Sequence, residues 1–521
     1  MTETQTIKPN RRRSGGRHAK ALARTSAAEK VFDAAWRQWK NPYKPIEQFS
    51  TDEIEAIHNA SLKVLKETGI RILHERAIEF YVNSGHTLKD ENIIQFDSDL
   101  LMEQIGSAPE IVTFKTRNPD RSVTVGGKHV GICTTGGTPN FSDLDNGRRP
   151  GTLKSLDTFC QLSQSFDVIH MIGPFVEPQD IPTNTRHLAM TKSVVTQTDK
   201  VPFVFFRGTE AVADAYEIIR IANGLSQEEF ENTPVCYSVA NSNSPLQLDL
   251  LMCQGIIDAA NAGQMTILTP FTLAGAMAPV TIPGALVLQN AEALAGIALS
   301  QIVKPGSPVS YGSFTSNVDM KTGAPAFGTP EYTRAAFASG QLARRYRLPL
   351  RSSGVTASNA PDAQAAYEMQ MSLWGALMGG TNILLHGAGW LEGGLTASAE
   401  KFIMDIEMLQ MFAELFKPLE VNAETLANHA IADVGHGGHF FGTQHTLERF
   451  ETAFYSPLLS DWSNFENWRD SGSVDTTQRA NQIYHNTIRN YEKPPISDAA
   501  MEEIDAFIAQ RESEGGADIE R

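Results

Sequence analysis

Between residues 130 and 400 the chain repeats one pattern: a short apolar run, a break at Gly, Asn or Ser, then a longer stretch with helical spacing. The apolar runs fall at 130–134, 168–173, 201–206, 235–240, 265–269, 309–314, 350–354 and 383–386, and helices are predicted to begin near 152, 185, 210, 246, 285, 331, 362 and 399. Continuous apolar runs of this length fit strands buried on both faces, which is the condition of parallel strands covered by helices. About eight such units is the number a closed barrel needs, so the predicted fold is α/β, a (β/α)8 TIM barrel. A doubly wound open sheet would place G-x-G-x-x-G after its first strand, and Thr135–Pro139 does not match it.

The flanks read differently. Residues 1–40 form a basic arm, with Arg11, Arg12, Arg13, Arg17, Lys20 and Arg24 set among Gly, Ser and Ala, a composition too polar to order itself. An α+β lead-in is expected over 41–125, with a helix starting at a capping Thr51 and strands near 69–73 and 111–114. The barrel follows over 126–420. A mostly helical extension over 421–521 carries Trp462, Trp468 and Tyr484, which suit wrapping the barrel or pairing with another subunit, so a homo-oligomer is expected. Residues 512–521 read as a frayed end.

Bulk charge narrows the function. The formal charge of -16, from 44 basic and 60 acidic residues, argues against nucleic acid as a partner and for a small-molecule substrate. Cys133, Cys160, Cys236 and Cys253 form no C-x-x-C pair and read as small buried residues of a reducing compartment, so a cytoplasmic location is expected. No apolar run is read as reaching the ~18–20 residues of a membrane span, and no membrane association is expected.

In such a fold the loops after the strands share one end of the sheet, and their side chains form one constellation. The stretch 382–401 is the most informative. Its strand ends at His386, and a glycine-rich loop then carries Trp390 before a helix. Phe206 and Arg207, Asn241 and Asn243, Phe271, Tyr311, Phe314 and the segment 354–359 join it from other loops. Aromatics, amides and hydroxyls dominate. Paired acids for glycoside chemistry, a G-x-S-x-G elbow and an H-E-x-x-H helix are not evident. His436, His439 and His445 have neither i, i+4 spacing nor a nearby Cys, so no metal is assigned and they read as loop histidines.

Several segments carry a resemblance: Asn41–Pro45, Asp180–Pro182 with Arg186–Leu188, the stretch from Tyr311 to Glu331, Pro361–Glu368, His386–Leu391 and Gly437–Phe440. On these the chain resembles the trimethylamine methyltransferase family, in its non-pyrrolysine branch. The resemblance implies a TIM barrel that passes a methyl group from an amine to the cobalt of a separate corrinoid protein, with no cofactor held tightly by this chain. The place of pyrrolysine, shortly before the P-D-x-Q segment, falls on Val355. Relatives that lack pyrrolysine act on quaternary amines, so the resemblance implies glycine betaine or a similar betaine.

The residues fit that chemistry. A quaternary nitrogen leaves as a neutral tertiary amine, so no general acid is required. A partial aromatic cage for the cation is available from Phe206, Phe271, Tyr311, Phe314 and Trp390, each face contributing ~0.5–2 kcal/mol. Arg207, His386 and the amides of Asn241 and Asn243 could serve the carboxylate. Of these His386 is read as the catalytic position. Three other readings stand beside this one: a trimethylamine or other methylamine methyltransferase, a non-catalytic quaternary-amine binding or regulatory protein, and a metal-dependent barrel hydrolase.

Overall fold

The computed structural model describes residues 38–173 and 175–518. Two compact units are separable among them: residues 38–419 with 463–518, and residues 420–462. The basic arm lies outside the described residues as far as position 37.

The large unit is mixed α/β. Its main sheet runs in the order Trp39–Lys40, His129–Ile132, Ile383–Leu385, Leu350–Ser353, Val309–Gly312, Met265–Leu268 and Tyr237–Ala240. Every pairing is parallel except that of Trp39–Lys40, which lies antiparallel on His129–Ile132. Two expected strands, at 168–173 and 201–206, do not form regular ladders. Single parallel bridges hold them instead, from Cys133 to Met171, from Met171 to Val201 and from Phe203 to Tyr237. Pro202 has no N–H to give to a ladder. Side chains also occupy ladder positions: the Ile132 N–H donates to His170 Nδ1 at 3.1 Å and the Gly173 N–H to Thr134 Oγ1 at 2.9 Å.

All eight expected helices form: Leu153–Ser165, Arg186–Gln197, Thr209–Asn223, Leu250–Asn261, Ile282–Val303, Pro330–Arg345, Ala363–Gly379 and Ala399–Leu415. Five open on a side chain that accepts an N–H of the first turn, namely Thr152, Asp249, Thr329, Asp362 and Ser398. The strands alternate their side chains between two cores. Leu268, Val309, Tyr311 and Leu350 pack outward against the helices. Cys133, Met171, Val201, Tyr237, Ile267, Ile383 and Leu385 gather on the other face, where the hairpin Val112–Phe114 and Val123–Val125 joins them.

Three expectations are corrected. Helix Ile282–Val303 is long and apolar enough to cross a membrane, although no such run was anticipated. It is buried over most of its length, and its polar residues are used inside the fold: Gln289 and Asn290 bond Tyr311, and Glu292 holds the 242–246 loop. Helix Thr51–Glu67 is capped by Ser50, not Thr51, in a capping box with Glu53. The end is not frayed as far as residue 518. Ala517 is buried, its N–H donates to the Asn184 carbonyl at 2.9 Å, and Asn184 Nδ2 donates to the Gly515 carbonyl at 2.6 Å.

Glu292 is a local keystone. It accepts from the Ser242 hydroxyl, from the Ser244 hydroxyl at 2.6 Å and from the Leu246 N–H at 2.7 Å, while burial pushes its pKa up. Glu292→Gln turns one acceptor into a donor facing donors. It should cost about 1–3 kcal/mol, read as a lower urea midpoint with an unchanged m-value.

Candidate active site

Leu385 is the last residue of its strand, and at His386 the backbone turns left-handed, with φ 57°. A non-glycine residue held there is strained. Two backbone bonds fix it against the neighbouring chain: the His386 N–H donates to the Thr134 carbonyl at 3.1 Å and the Gly387 N–H to the Cys133 carbonyl at 2.8 Å. Farther along the loop, the Gly389 N–H donates to Asp405 at 2.8 Å. Asp405 pairs with Lys401 one helical turn away, and both side chains are wholly buried. Burial lifts the Asp405 carboxyl to about 6, against the pull of Lys401 and the Gly389 N–H.

Trp390 is fixed from the other side. Its Nε1 donates to the Thr356 carbonyl at 3.0 Å. The 355–358 segment is in turn gathered by Glu368, which accepts from the Thr356 hydroxyl and from the N–H groups of Ala357 and Ser358 at 2.8 and 3.1 Å. Gly394 closes the loop beneath the indole. At φ 104° a Cβ there would stand 2.6 Å from Trp390 Cη2, so only glycine fits.

These supports assemble an aromatic cluster centred on Phe314. Ring centroids of Phe271, Phe327, His386 and Trp390 lie 5.1, 5.6, 5.7 and 6.4 Å from it, and His386 lies 4.2 Å from Trp390. Val355 and Tyr332 are buried in the same cluster, and Phe271 is half-buried beside it.

Against the Phe314 ring stands a cation, with Arg351 Cζ 4.9 Å from the centroid. Arg351 is 2 % exposed. Its Nη1 donates to the Ser313 carbonyl at 3.2 Å, its Nε has no partner, and no carboxylate faces it among the described residues. Burial draws its pKa down to about 10, which leaves it charged at neutral pH. His386 Nδ1 is also buried without a partner. Burial first, and the Arg351 charge second, hold the His386 pKa well below its ordinary value, so the ring is neutral. The hydroxyls of Thr135, Thr269 and Ser353 are buried and unpaired too. Buried polar groups left unsatisfied are costly unless a ligand answers them.

The structure thus brings together five of the expected residues: His386, Phe271, Phe314, Trp390 and Val355. It places five elsewhere. Tyr311 is fully buried on the helix side of its strand, with its hydroxyl between Gln289 and Asn290. Phe206 also points outward, onto helix Leu250–Asn261, so closely that a Cβ on Gly255 would lie 2.1 Å from its ring. Arg207 is held by Glu177 at 2.8 and 2.5 Å and lies over Phe205. Asn241 and Asn243 are exposed. Sequence reasoning missed Arg351, Phe327 and Tyr332. Arg351 had a signal, a lone cation within an otherwise uncharged strand that helices cover.

Among the described residues no group of three or more His, Cys, Asp or Glu is placed to hold a metal ion. His429 and His445 lie 6.2 Å apart in the small unit.

The arrangement is a buried aromatic cluster with one cation fixed against it. The model of the trimethylamine methyltransferase (MTTB) family matches residues 13–516, so the chain belongs to that family. It is 36% identical over 467 residues to the glycine betaine methyltransferase of Desulfitobacterium hafniense (strain Y51), covering 89% of this chain and 97% of that one. It is 30% identical to the trimethylamine methyltransferase MttB of Desulfitobacterium hafniense (strain DSM 10664 / DCB-2), over 90% of this chain and 94% of that one. Among solved structures, the Methanosarcina barkeri monomethylamine methyltransferase (MtmB) superposes with a TM-score of 0.51 at 13% identity, covering 93% of this chain and 92% of that one. The chain is a methyltransferase.

Two outcomes separate wall from scaffold. Phe206→Ala should lower unfolding free energy by about 3–5 kcal/mol, and Tyr311→Phe by about 1–3 kcal/mol, while KM in the folded enzyme stays unchanged. For His386, whose folded pKa is depressed, the unfolded chain binds the extra proton first. Its contribution to stability is therefore full above about pH 6.5 and is lost as pH falls below it, at up to about 1.4 kcal/mol per pH unit. His386→Gln should show a shallower acid loss of melting temperature than the wild type.

Proposed function

We propose that this methyltransferase takes a methyl group from glycine betaine and delivers it to a Co(I) corrinoid carried by a partner protein. The observation that carries the substrate is Arg351, a buried guanidinium with no carboxylate facing it among the described residues, set against an aromatic cluster. A betaine supplies both missing complements, a carboxylate for the cation and a quaternary ammonium for the ring faces. Trimethylamine has no carboxylate and would leave Arg351 unanswered. The pairwise strand bridges lead from Cys133 through Met171, Val201 and Phe203 to Tyr237, and on to Ile383–Leu385 and back to His129–Ile132. That cycle supports a (β/α)8 barrel with the cluster at its mouth.

Each residue then has a task. Arg351 anchors the carboxylate, and Phe314, Phe271 and Trp390 flank the ammonium. Neutral His386 offers one hydrogen bond without adding a second positive charge beside the ammonium. Val355 contributes shape. The corrinoid supplies the nucleophile, and the bond between nitrogen and the methyl breaks with its electron pair staying on nitrogen. No proton moves, which agrees with a cluster that lacks a free acid. The wall fixes orientation and excludes water, and an incomplete cage avoids stabilising the substrate cation against reaction.

Free Co(I) cobalamin can stand in for the partner, with loss of its absorbance as the readout. Arg351→Met should lose about tenfold to more than a hundredfold in kcat/KM with glycine betaine and little with choline, which has no carboxylate. Wild-type turnover of trimethylamine without turnover of betaine would overturn the substrate.

A further inference from the structure

Helix Ile282–Val303 is long and apolar, yet Gln289 lies within it, fully buried. A buried amide is costly unless its polar atoms find partners, and an apolar side chain would fill the place without that demand. Gln289 is answered at both ends. Its Oε1 accepts from the Thr315 hydroxyl at 2.6 Å, and its Nε2 donates to the Ser339 hydroxyl at 3.0 Å and to the Tyr311 hydroxyl at 3.2 Å.

Two of these bonds lead to the residues on either side of Phe314. Thr315 is bound directly, and Ser313 Oγ donates to Ser339 Oγ at 2.9 Å. Thr315 also shares a hydroxyl bond with Thr272, the residue after Phe271, and the Ser316 N–H donates to the Thr272 carbonyl at 3.1 Å. Thr272, Ser313, Thr315 and Ser339 are all buried. One amide on a helix behind the sheet thus reaches the backbone of both Phe314 and Phe271, whose ring centroids lie 5.1 Å apart. The third bond leads elsewhere. Tyr311 donates to Asn290 at 3.1 Å, Asn290 donates to the Tyr346 hydroxyl at 2.9 Å, and that hydroxyl meets His58 of helix Thr51–Glu67 at 2.7 Å. This branch ties the lead-in helix to the sheet on the helix side.

We propose that Gln289 is a positioning residue for methyl transfer, holding Phe314 and Phe271 at the spacing that receives the substrate's ammonium. The proposal rests on the reading of those two rings as faces of the ammonium site. Hydrogen bonds are directional, so an amide engaged at both ends sets the place of a loop more narrowly than apolar packing does.

The full chain with free Co(I) cobalamin tests this, using whichever of glycine betaine, choline and trimethylamine the wild type consumes. Thr315→Val removes the hydroxyl and keeps the shape of the side chain. It should raise KM about tenfold and change kcat less, and Thr315→Ser, which keeps the hydroxyl, should restore the wild-type value. Tyr311→Phe cuts the other branch of the same amide, and it should lower the melting temperature while leaving KM unchanged. Gln289→Met should match Thr315→Val, and the double variant should raise KM no further than either alone, because both break one path. Equal KM values in Thr315→Val and Tyr311→Phe, or a Thr315→Ser no better than Thr315→Val, would overturn the proposal. Wild-type consumption of trimethylamine without glycine betaine would overturn the substrate and leave the comparison of variants standing. Should Gln289→Met misfold, the Thr315 variants decide. Should no amine be consumed, amide hydrogen exchange over residues 312–317 decides instead: faster exchange in Thr315→Val than in Tyr311→Phe supports the positioning role, and equal exchange overturns it.

Discussion

Everything at the candidate site depends on one pairing, that of Ile383–Leu385 with His129–Ile132. It joins the last parallel strand to the first across some 250 residues of chain, and it delivers His386 beside Thr134 and Cys133. Without that register the glycine-rich loop would have no neighbour to lie on. Trp390 would then lose its distance to Phe314, and Arg351, one strand over, would face open space.

The buried carboxylates near the aromatic cluster are used for structure. Glu292, Glu368 and Asp405 are each spent on backbone N–H groups or hydroxyls of a loop that follows a strand. They hold loops in place, a use of charge that costs desolvation and returns a fixed geometry. Among the described residues of the aromatic cluster, the charge left over is positive, that of Arg351.

Much of this was legible in the sequence. The succession of apolar run, breaker and helix located all eight helices and six of the eight strands, because periodicity reports burial directly. Where a proline or a side-chain acceptor interrupted the ladder, at Pro202 and His170, the same pattern yielded bridges only. The site was legible in part. Phe314, Trp390 and His386 could be found from their place after a strand, yet Tyr311 and Phe206 stand at comparable places and face the helices. A strand turns successive side chains to opposite faces, so an error of one residue in its end reverses the assignment. Arg351 was passed over for the opposite reason. It lies within a strand, whereas the expected ligand groups lie mostly in the loops that follow strands.

His386 carries a further consequence through its backbone. At φ 57° an asparagine or a glycine would sit with less strain than a histidine. Selection for a sturdier protein alone, in a laboratory library or along a lineage that had lost the reaction, would drift this position toward those residues without disturbing the fold. With His386 in the role proposed for it, the identity of residue 386 in a collection of homologous chains serves as a marker, separating lineages kept for turnover from those kept only for being folded.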